Sequence, residues 1–130
     1  MAQKVKNISS AALAFLGDSV FEINIRNKIV NECEGNADEL NKKSKALTNA
    51  KAQALMVNTL LELFSEEELA VYKRGRNLKS LSAPRSCTIS EYRRATGLEA
   101  LLGYLFLNEN KERINELVEK GIQAVQERTE

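Results

Sequence analysis

The stretch Ala11–Glu22, AALAFLGDSVFE, decides the fold of this chain because it is almost wholly apolar and yet carries Asp18. Read as a helix, it places Asp18 on a face with Ala11, Ala14, Ile25 and Ile29, opposite an apolar face of Leu13, Leu16, Val20 and Ile23. A helix that is apolar on both sides is usually buried, and a buried carboxylate needs a hydrogen-bond partner, a cation or a metal, or else it keeps a proton. Asp18 is therefore a candidate site residue. The alternative is an Asp at the helix surface or one bonded to neighbouring backbone.

The composition predicts a single domain, residues 1–130, with 43% hydrophobic residues available for a core. No apolar run reaches the roughly 18 residues of a membrane span, and the N-terminus MAQKVKNISS lacks the apolar centre of a secretory signal. We therefore expect a cytoplasmic protein with no membrane partner. Two cysteines without a histidine form no metal motif, argue against a disulfide scaffold and exclude histidine-dependent catalytic triads.

The chain contains a single proline, six glycines and few clusters of β-branched residues, which favours an all-α fold. The first helix starts near Ser9 or Ser10, either of which can act as its N-cap, and runs to about Glu32. A turn then leads to a second helical region at 38–63, with a break near 48–49.

Two capping boxes mark the starts of later helices. Ser65–Glu68 opens a third helix that ends near 75–77, and Thr88–Glu91 opens a fourth. The segment 78–89 between these helices holds the only proline and is predicted to be an exposed loop. A last amphipathic helix, starting after 108–110, closes the domain.

The fourth helix repeats the pattern around Asp18, since the only charge in its second half is Glu99. Small residues near each acid, Gly17 in one helix and Gly103 in the other, permit close packing against a second helix. Glycine inside a helix costs about 1 kcal/mol relative to alanine, so Gly17 indicates that another backbone comes close. If the two helices pack side by side, the two carboxylates can meet. Paired carboxylates suit Mg²⁺ or Mn²⁺, which lower the pKa of a bound water and stabilise charge on a phosphodiester.

The net charge of +1 hides a strong asymmetry between one segment and the rest of the chain. Residues 71–94, here called the basic segment, hold seven bases and one acid, so they carry +6 against −5 elsewhere. Concentrated basic charge attracts a phosphate backbone; the alternative is a solvated helix end and an exposed loop. The lysines at 42–45 are instead predicted to form a solvated face. Together, the acids and the basic segment predict a metal-dependent phosphodiesterase acting on nucleic acid.

Two phrases of the sequence resemble a known family. Residues 13–20, LAFLGDSV, resemble the signature of the ribonuclease III family, and residues 96–107, TGLEALLGYLFL, resemble its other conserved helix. The sequence KRGRN at 73–77 is similar to that of Mini-ribonuclease III, the short bacterial subfamily. The resemblance covers nearly the whole chain.

The resemblance implies a helical endonuclease bundle that works as a homodimer. Such enzymes cut double-stranded RNA with Mg²⁺, for which Mn²⁺ can substitute, and leave 5′-phosphate and 3′-hydroxyl ends. The subfamily lacks a separate double-stranded-RNA-binding domain, and none is expected here. It matures the ends of the large-subunit (23S) ribosomal RNA precursor, so the implied partners are this RNA and a ribosomal protein that presents it.

Carried over by position, Asp18 and Glu99 match the catalytic, metal-binding carboxylates of the family. Larger members have further acids where this chain has Ala11, Ala14 and Thr96, which cannot supply a carboxylate. We therefore expect one metal per site, with waters completing its shell. Glu22, one turn after Asp18, either helps through a water or is structural, and we favour the structural role.

RNA binding is assigned to six residues that follow the third helix or end it: Lys73, Arg74, Arg76, Asn77, Lys79 and Arg85. A-form RNA would be read by these residues mainly through its shape and phosphates. The twofold mate is expected to pack on the apolar helix around Gly17, which would bury it and bring two active sites into one valley.

Two competing functions remain open from the residues. One is a catalytically silent RNA-binding or assembly module of the same fold, against which the presence of both Asp18 and Glu99 argues. The other is a helical protein–protein module, which the basic segment disfavours.

Overall fold

The computed structural model describes residues 7–79 and 82–129, and within these ranges it contains helices and no strand. The predicted all-α fold is confirmed. The helices are α1 Ser10–Glu32, α2 Ala37–Thr48, α3 Ala50–Leu60, a 3₁₀ turn Leu61–Leu63, α4 Glu66–Arg76, α5 Ile89–Leu107 and α6 Lys111–Thr129. Residues 1–6, on which the prediction about a secretory signal partly rests, and residues 80–81 of the predicted loop lie outside the described residues.

The helix starts follow the capping residues predicted from the sequence. The Ser9 hydroxyl accepts a hydrogen bond from the Ala12 amide at 3.1 Å, so Ser9 is the N-cap of α1. Both capping boxes form, with Ser65 and Glu68 at α4 and Thr88 and Glu91 at α5 bonding each other's backbone. The predicted positions of these helix starts are confirmed.

Asn49 makes the break between α2 and α3, at the position where the sequence predicts one. Its side-chain oxygen accepts from the Ala52 amide at 2.8 Å and so caps the start of α3. Its side-chain nitrogen donates to the Lys45 carbonyl at 2.9 Å, which satisfies a free carbonyl at the end of α2. One side chain therefore ends one helix and begins the next.

Helix α5 lies at the centre of the fold and packs against α1, α3, α4 and α6. The core draws fully buried side chains from all five of these helices, including Phe21, Met56, Tyr72, Leu101 and Leu117. No helix in the described part of the chain is long and apolar enough to cross a membrane. Both cysteines are free thiols, as the sequence predicts.

Helices α1 and α5 run antiparallel and touch through glycine. A Cβ at Gly17 would overlap the Glu99 carbonyl oxygen, and one at Gly103 would overlap the Leu13 carbonyl oxygen. The predicted close approach of a second backbone at Gly17 is therefore confirmed. Gly17 itself is buried against α5 of its own chain, so a twofold mate packed on α1, as the resemblance implies, would contact another side of this helix.

The start of α6 is fixed to the start of α4 by an ion pair. Arg113 donates from Nε and Nη2 to the two carboxylate oxygens of Glu68, both at 2.8 Å, and Nη1 reaches Glu116. Burial acts to raise the pKa of Glu68, but the hydrogen bonds from Arg113 and Ser65 outweigh it, so the pKa is lowered. Glu68 is therefore held in its ionised form in the folded protein.

Candidate active site

The contact between α1 and α5 brings Asp18 and Glu99 together. Asp18 directly follows Gly17, whose Cα lies against the Glu99 carbonyl, and the two side chains hydrogen-bond to each other when Glu99 is protonated. We call these two residues the acidic pair. Their meeting was predicted from the lone carboxylate in each helix, 81 positions apart in the sequence.

The two acids differ in burial, and Asp18 lies at the helix surface, which is the alternative that the sequence left open. Asp18 is exposed, whereas Glu99 is partly covered between α1, α3 and α5. The interpretation of α1 as apolar and buried on both sides is wrong because one side faces solvent. There Phe15, Ile23 and Val30 are 84%, 67% and 65% exposed.

The pKa of Glu99 is raised from its ordinary value to about 8. Burial is the largest cause, because it penalises the charged form, and the negative charge of Asp18 and a hydrogen bond to Asp18 act in the same direction. A hydrogen bond from the Gln53 amide partly opposes them. At neutral pH Glu99 by itself therefore stays largely protonated, and a cation bound there would take the place of that proton.

The acidic pair fits a divalent cation that prefers oxygen ligands. In the described residues no group of three or more acidic, cysteine or histidine side chains could hold a metal, so the protein would supply two carboxylates. Mg²⁺ commonly takes one or two carboxylates and keeps several waters. A cation bound between the two carboxylates would balance their charge once Glu99 has lost its proton.

The neighbouring positions add no further acid to the pair. Thr96 is buried, and its hydroxyl donates to the Tyr92 carbonyl at 2.9 Å within α5. Glu22 accepts a hydrogen bond from the buried Ser44 at 3.4 Å and pairs with Arg26 at 3.6 Å. These contacts agree with a structural role for Glu22, although it lines an open groove on α1 together with Asp18, Ser19, Ile23 and Arg26.

Most of the six residues assigned to RNA binding are exposed. Lys73 and Arg74 project from the last turn of α4, and Lys79 and Arg85 are exposed in the loop that follows. Arg76 lies over the Tyr72 ring, 5.7 Å from its centre, and donates to the Asn77 side chain at 3.1 Å.

A groove between α4 and α5 gathers two arginines that the assignment to RNA binding left out. Arg93 and Arg94 line it together with Arg76 and Asn77. Arg94 donates to the Asn58 side chain at 2.7 Å, which fixes its guanidinium at the edge of α3. Both residues belong to the basic segment. The excess positive charge of residues 71–94 in the sequence therefore already indicated them as candidates for RNA binding.

Carboxylates do not neutralise the basic segment. Among the described residues, the ion pairs within 4.0 Å involve Arg26, Lys28 and Arg113 and no base of the segment. Unpaired cations on one side of a domain create a positive potential that attracts phosphates.

The width of helix α5 separates the basic end of α4 from the acidic pair. A Cβ at Gly97 would meet the Tyr72 ring and one at Gly75 would meet Ala100, so the basic end of α4 crosses α5 at 97–100. Glu99 lies within this same turn but faces α1. Packed helix axes are about 8–10 Å apart, a distance that an RNA duplex easily spans.

Comparison with known proteins agrees with this arrangement of residues. Residues 11–110 match the model of the ribonuclease III domain, a range that includes both acids and the basic segment. The chain belongs to the ribonuclease III family. It is an endoribonuclease, as the resemblance of its two conserved helices implies.

Relatives of this ribonuclease III domain match it along almost its whole length. A Mini-ribonuclease 3 of a Thermoanaerobacter species is 42% identical and covers 95% of this chain and 87% of its own length. The Mini-ribonuclease 3 of Enterococcus faecalis is 39% identical and covers 96% of both chains. A crystal structure of a Fusobacterium nucleatum protein superposes with a TM-score of 0.82 at 37% identity, covering 92% of this chain and 95% of its own.

One residue at the site was missed by the sequence reasoning. Gln53 of α3 is buried and donates to Glu99 and to the Thr48 carbonyl. The sequence feature that could have identified Gln53 is its long polar side chain within the otherwise apolar stretch 52–57.

Proposed function

We propose that this chain is a divalent-metal-dependent endoribonuclease that cuts double-stranded RNA at the acidic pair. The observation that carries the proposal is the meeting of Asp18 and Glu99 where α1 and α5 touch, within a ribonuclease III domain. Mg²⁺ is the proposed ion, and Mn²⁺ is a substitute, because both prefer oxygen ligands. Such an ion supplies an activated water and stabilises negative charge on the phosphate.

The residues of the chain have separate tasks in this reaction. Asp18, which is exposed, faces the incoming phosphate and contributes one carboxylate ligand. Glu99, which is held by α1 and α3, would contribute the second ligand in its ionised form. Because Glu99 is partly buried, bulk water screens its interaction with the ion less than it would at the surface.

The basic segment is proposed to hold the RNA duplex by its phosphates. Lys73, Arg74, Arg76, Asn77, Lys79 and Arg85 are the proposed contacts, joined by Arg93 and Arg94 in the groove between α4 and α5. No aromatic ladder accompanies these bases, which favours a duplex recognised by its shape over stacked single strands. On this proposal residues 1–130 act as one catalytic domain.

A homodimer is proposed through the solvent-facing side of α1. Phe15, Ile23 and Val30 are large apolar side chains exposed on this one side, and Ile23 lines the same groove as Asp18. A second copy packed there would bury these side chains and set its own acidic pair beside the first. Sedimentation analysis of Phe15→Glu should show a monomer, while the control Ile89→Glu at an exposed site on α5 should stay dimeric.

The proposed substrate is the large-subunit (23S) ribosomal RNA precursor in the cytoplasm, with a ribosomal protein as the partner that presents it. The resemblance to the Mini-ribonuclease III subfamily implies this RNA, and relatives named Mini-ribonuclease 3 match the chain over almost its whole length. The competing function, a silent RNA-binding module, predicts the same binding without cleavage.

Cleavage of a plain RNA duplex tests the proposal. We expect the wild type to cut with Mg²⁺ and not with a chelator. Asp18→Asn and Glu99→Gln should each lower the rate about 1,000-fold or more while duplex binding stays within a few-fold, because removing a metal ligand removes the charge stabilisation it provides. The control Asp38→Asn, at an exposed acid of α2, should cut normally.

Two results would contradict the proposal. If the wild type binds a plain duplex and the isolated ribosomal precursor with its ribosomal protein but cuts neither, the silent module is the correct function. If either variant cuts at the wild-type rate, the acidic pair is not the active site.

A further inference from the structure

Gln53 stands out because it is a buried amide beside a proposed metal ligand, and its hydrogen bonds are unequally satisfied. It is 4% exposed and lies near the start of α3, where α3 packs against α5. Its Nε2 donates to the Thr48 carbonyl at 2.9 Å. Its Oε1 is the one buried side-chain nitrogen or oxygen without a hydrogen-bond partner in the residues that the structure describes.

The orientation of this amide is determined by its neighbours. The Thr48 carbonyl can only accept a hydrogen bond, so the end of the amide that faces it must be the NH₂ group. The amide also acts as a hydrogen-bond donor to the Glu99 side chain. One N–H of Gln53 is thus fixed to Thr48, which leaves the other to interact with Glu99, while Oε1 has no hydrogen-bond partner.

Leaving a buried acceptor unpaired is unfavourable, and an apolar side chain of similar size would avoid it. The stretch around Gln53 is otherwise apolar on its buried side, with Ala52, Ala54, Met56 and Val57 all buried. An amide at this position therefore calls for a function that depends on its N–H groups.

We propose that Gln53 is a positioning residue that orients the Glu99 carboxylate toward the divalent cation. One N–H is fixed to the end of α2 through Thr48, and the other fixes the carboxylate of Glu99. The junction of α2 and α3 thereby sets the direction of a ligand on α5. This inference rests on the proposed function, since it assigns a task at the same site.

Residues that orient a metal ligand typically change metal affinity by 10- to 100-fold when they are replaced. A residue that serves only the core instead changes stability and leaves metal affinity alone. Gln53→Met separates these outcomes because methionine fills a similar volume with no donor and no unpaired acceptor.

The experiment measures binding of Mn²⁺ alone to the full chain by calorimetry, without RNA, and thermal unfolding in chelator. We expect Gln53→Met to raise the Mn²⁺ dissociation constant about tenfold or more, with an unfolding temperature in chelator within about 4 °C of the wild type. In duplex cleavage, the Mg²⁺ concentration for half-maximal rate should rise by a similar factor, and the rate at saturating Mg²⁺ should fall much less.

Two further variants make the result specific. Ser44→Ala removes a side chain that is equally buried but bonds Glu22, and its Mn²⁺ affinity should match that of the wild type. Gln53→Asn keeps an amide but shortens it by one methylene, and we expect an intermediate Mn²⁺ affinity. If Gln53→Met does not fold, Gln53→Asn decides the question by the same criterion.

The outcomes separate this inference from the proposed function. If the wild type binds Mn²⁺ and cuts RNA while Gln53→Met has unchanged metal affinity, the positioning role is overturned and the nuclease stands. If the wild type neither binds Mn²⁺ nor cuts RNA, both are overturned. A loss of stability in chelator with unchanged metal affinity would mean that Gln53 serves the core alone.

Discussion

The acidic pair lies where two helices touch backbone to backbone, whereas the basic segment projects from the end of one helix and the loop behind it. Asp18 and Glu99 depend on Gly17 and Gly103, at which no side chain can be accommodated without moving α1 from α5. The bases at 73–79 flank another glycine contact, that of Gly75 with Ala100, but most of their side chains are exposed to solvent. One region acts through fixed geometry and the other through summed charge. The two should therefore respond differently to substitution.

Adding one methyl group at Gly17 should have the largest effect. Gly17→Ala places a Cβ into the Glu99 carbonyl, so α1 and α5 must separate and the core between them must open. We expect a loss of about 3 kcal/mol in the free energy of unfolding, together with loss of cleavage. Chemical denaturation measures the first effect.

Gly35→Ala is the matched control, because a Cβ there would meet only the flexible Glu39 side chain at 3.0 Å. It should change the free energy of unfolding by less than about 1 kcal/mol. Equal losses for Gly17→Ala and Gly35→Ala would mean that the backbone contact between α1 and α5 is not the rigid feature described above.

Removing charge from the basic segment should have a smaller, additive effect. Replacing Lys73, Arg74 and Arg76 together with alanine should weaken duplex binding roughly 10- to 100-fold at low salt. It should also lower the slope of log affinity against log salt by about 2–3, one unit per phosphate contact. Fluorescence anisotropy across a salt series measures both quantities.

The control removes the same charge from the exposed lysines of α2. Lys42, Lys43 and Lys45 replaced by alanine should leave the salt slope nearly unchanged, since the sequence predicts a solvated face there. If the two triple variants behave alike, only net charge matters and the basic segment is not a distinct binding surface.

The smallest expected effect is on how the free energy of unfolding changes with pH when Glu99 is replaced. The pKa of Glu99 is raised from 4.5 to about 8, so the folded state binds a proton that the unfolded state has already released in this range. The stability that Glu99 contributes is complete below pH 4.5 and is lost as pH rises through 8. In chelator, Glu99→Gln should therefore be more stable than the wild type at pH 8, and the difference should shrink to near zero at pH 4.5.

Glu68→Gln should change stability with pH in the opposite direction. The pKa of Glu68 is lowered by Arg113, so its contribution is present above pH 4.5 and is lost as pH falls through the folded pKa. This variant should be less stable than the wild type at pH 7, and the gap should narrow in acid. Thermal unfolding at several pH values measures both variants. If the unfolding temperatures of Glu99→Gln and of the wild type change equally with pH, the pKa of Glu99 is not raised.

The sequence was sufficient to predict where the helices start and that Asp18 and Glu99 lie close together. Helix starts are local, because Ser65 and Thr88 cap with an acid three residues on, and no distant contact is needed. The acids could be paired because each is a lone charge near glycine in an apolar helix, which limits how the helices pack.

The helical periodicity of the sequence did not predict which side of α1 is buried. Helical periodicity places Ile23 with Leu13 and Val20, yet Ile23 is 67% exposed while the other two are buried. Periodicity says which residues share a side but not which neighbouring helix covers that side. For the same reason the sequence left open whether Asp18 is buried or lies at the helix surface. Gln53 was missed because its two partners, Thr48 and Glu99, become neighbours only when α3 docks against α5.

The glycine contact between α1 and α5 also determines when the enzyme can begin to work. Asp18 and Glu99 lie 81 positions apart, so the chain must be synthesised through most of its length before the second acid exists. A nascent chain that has exposed only α1 holds an isolated surface carboxylate. The proposed cutting site would therefore arise late, only after α5 has been synthesised and has docked against α1.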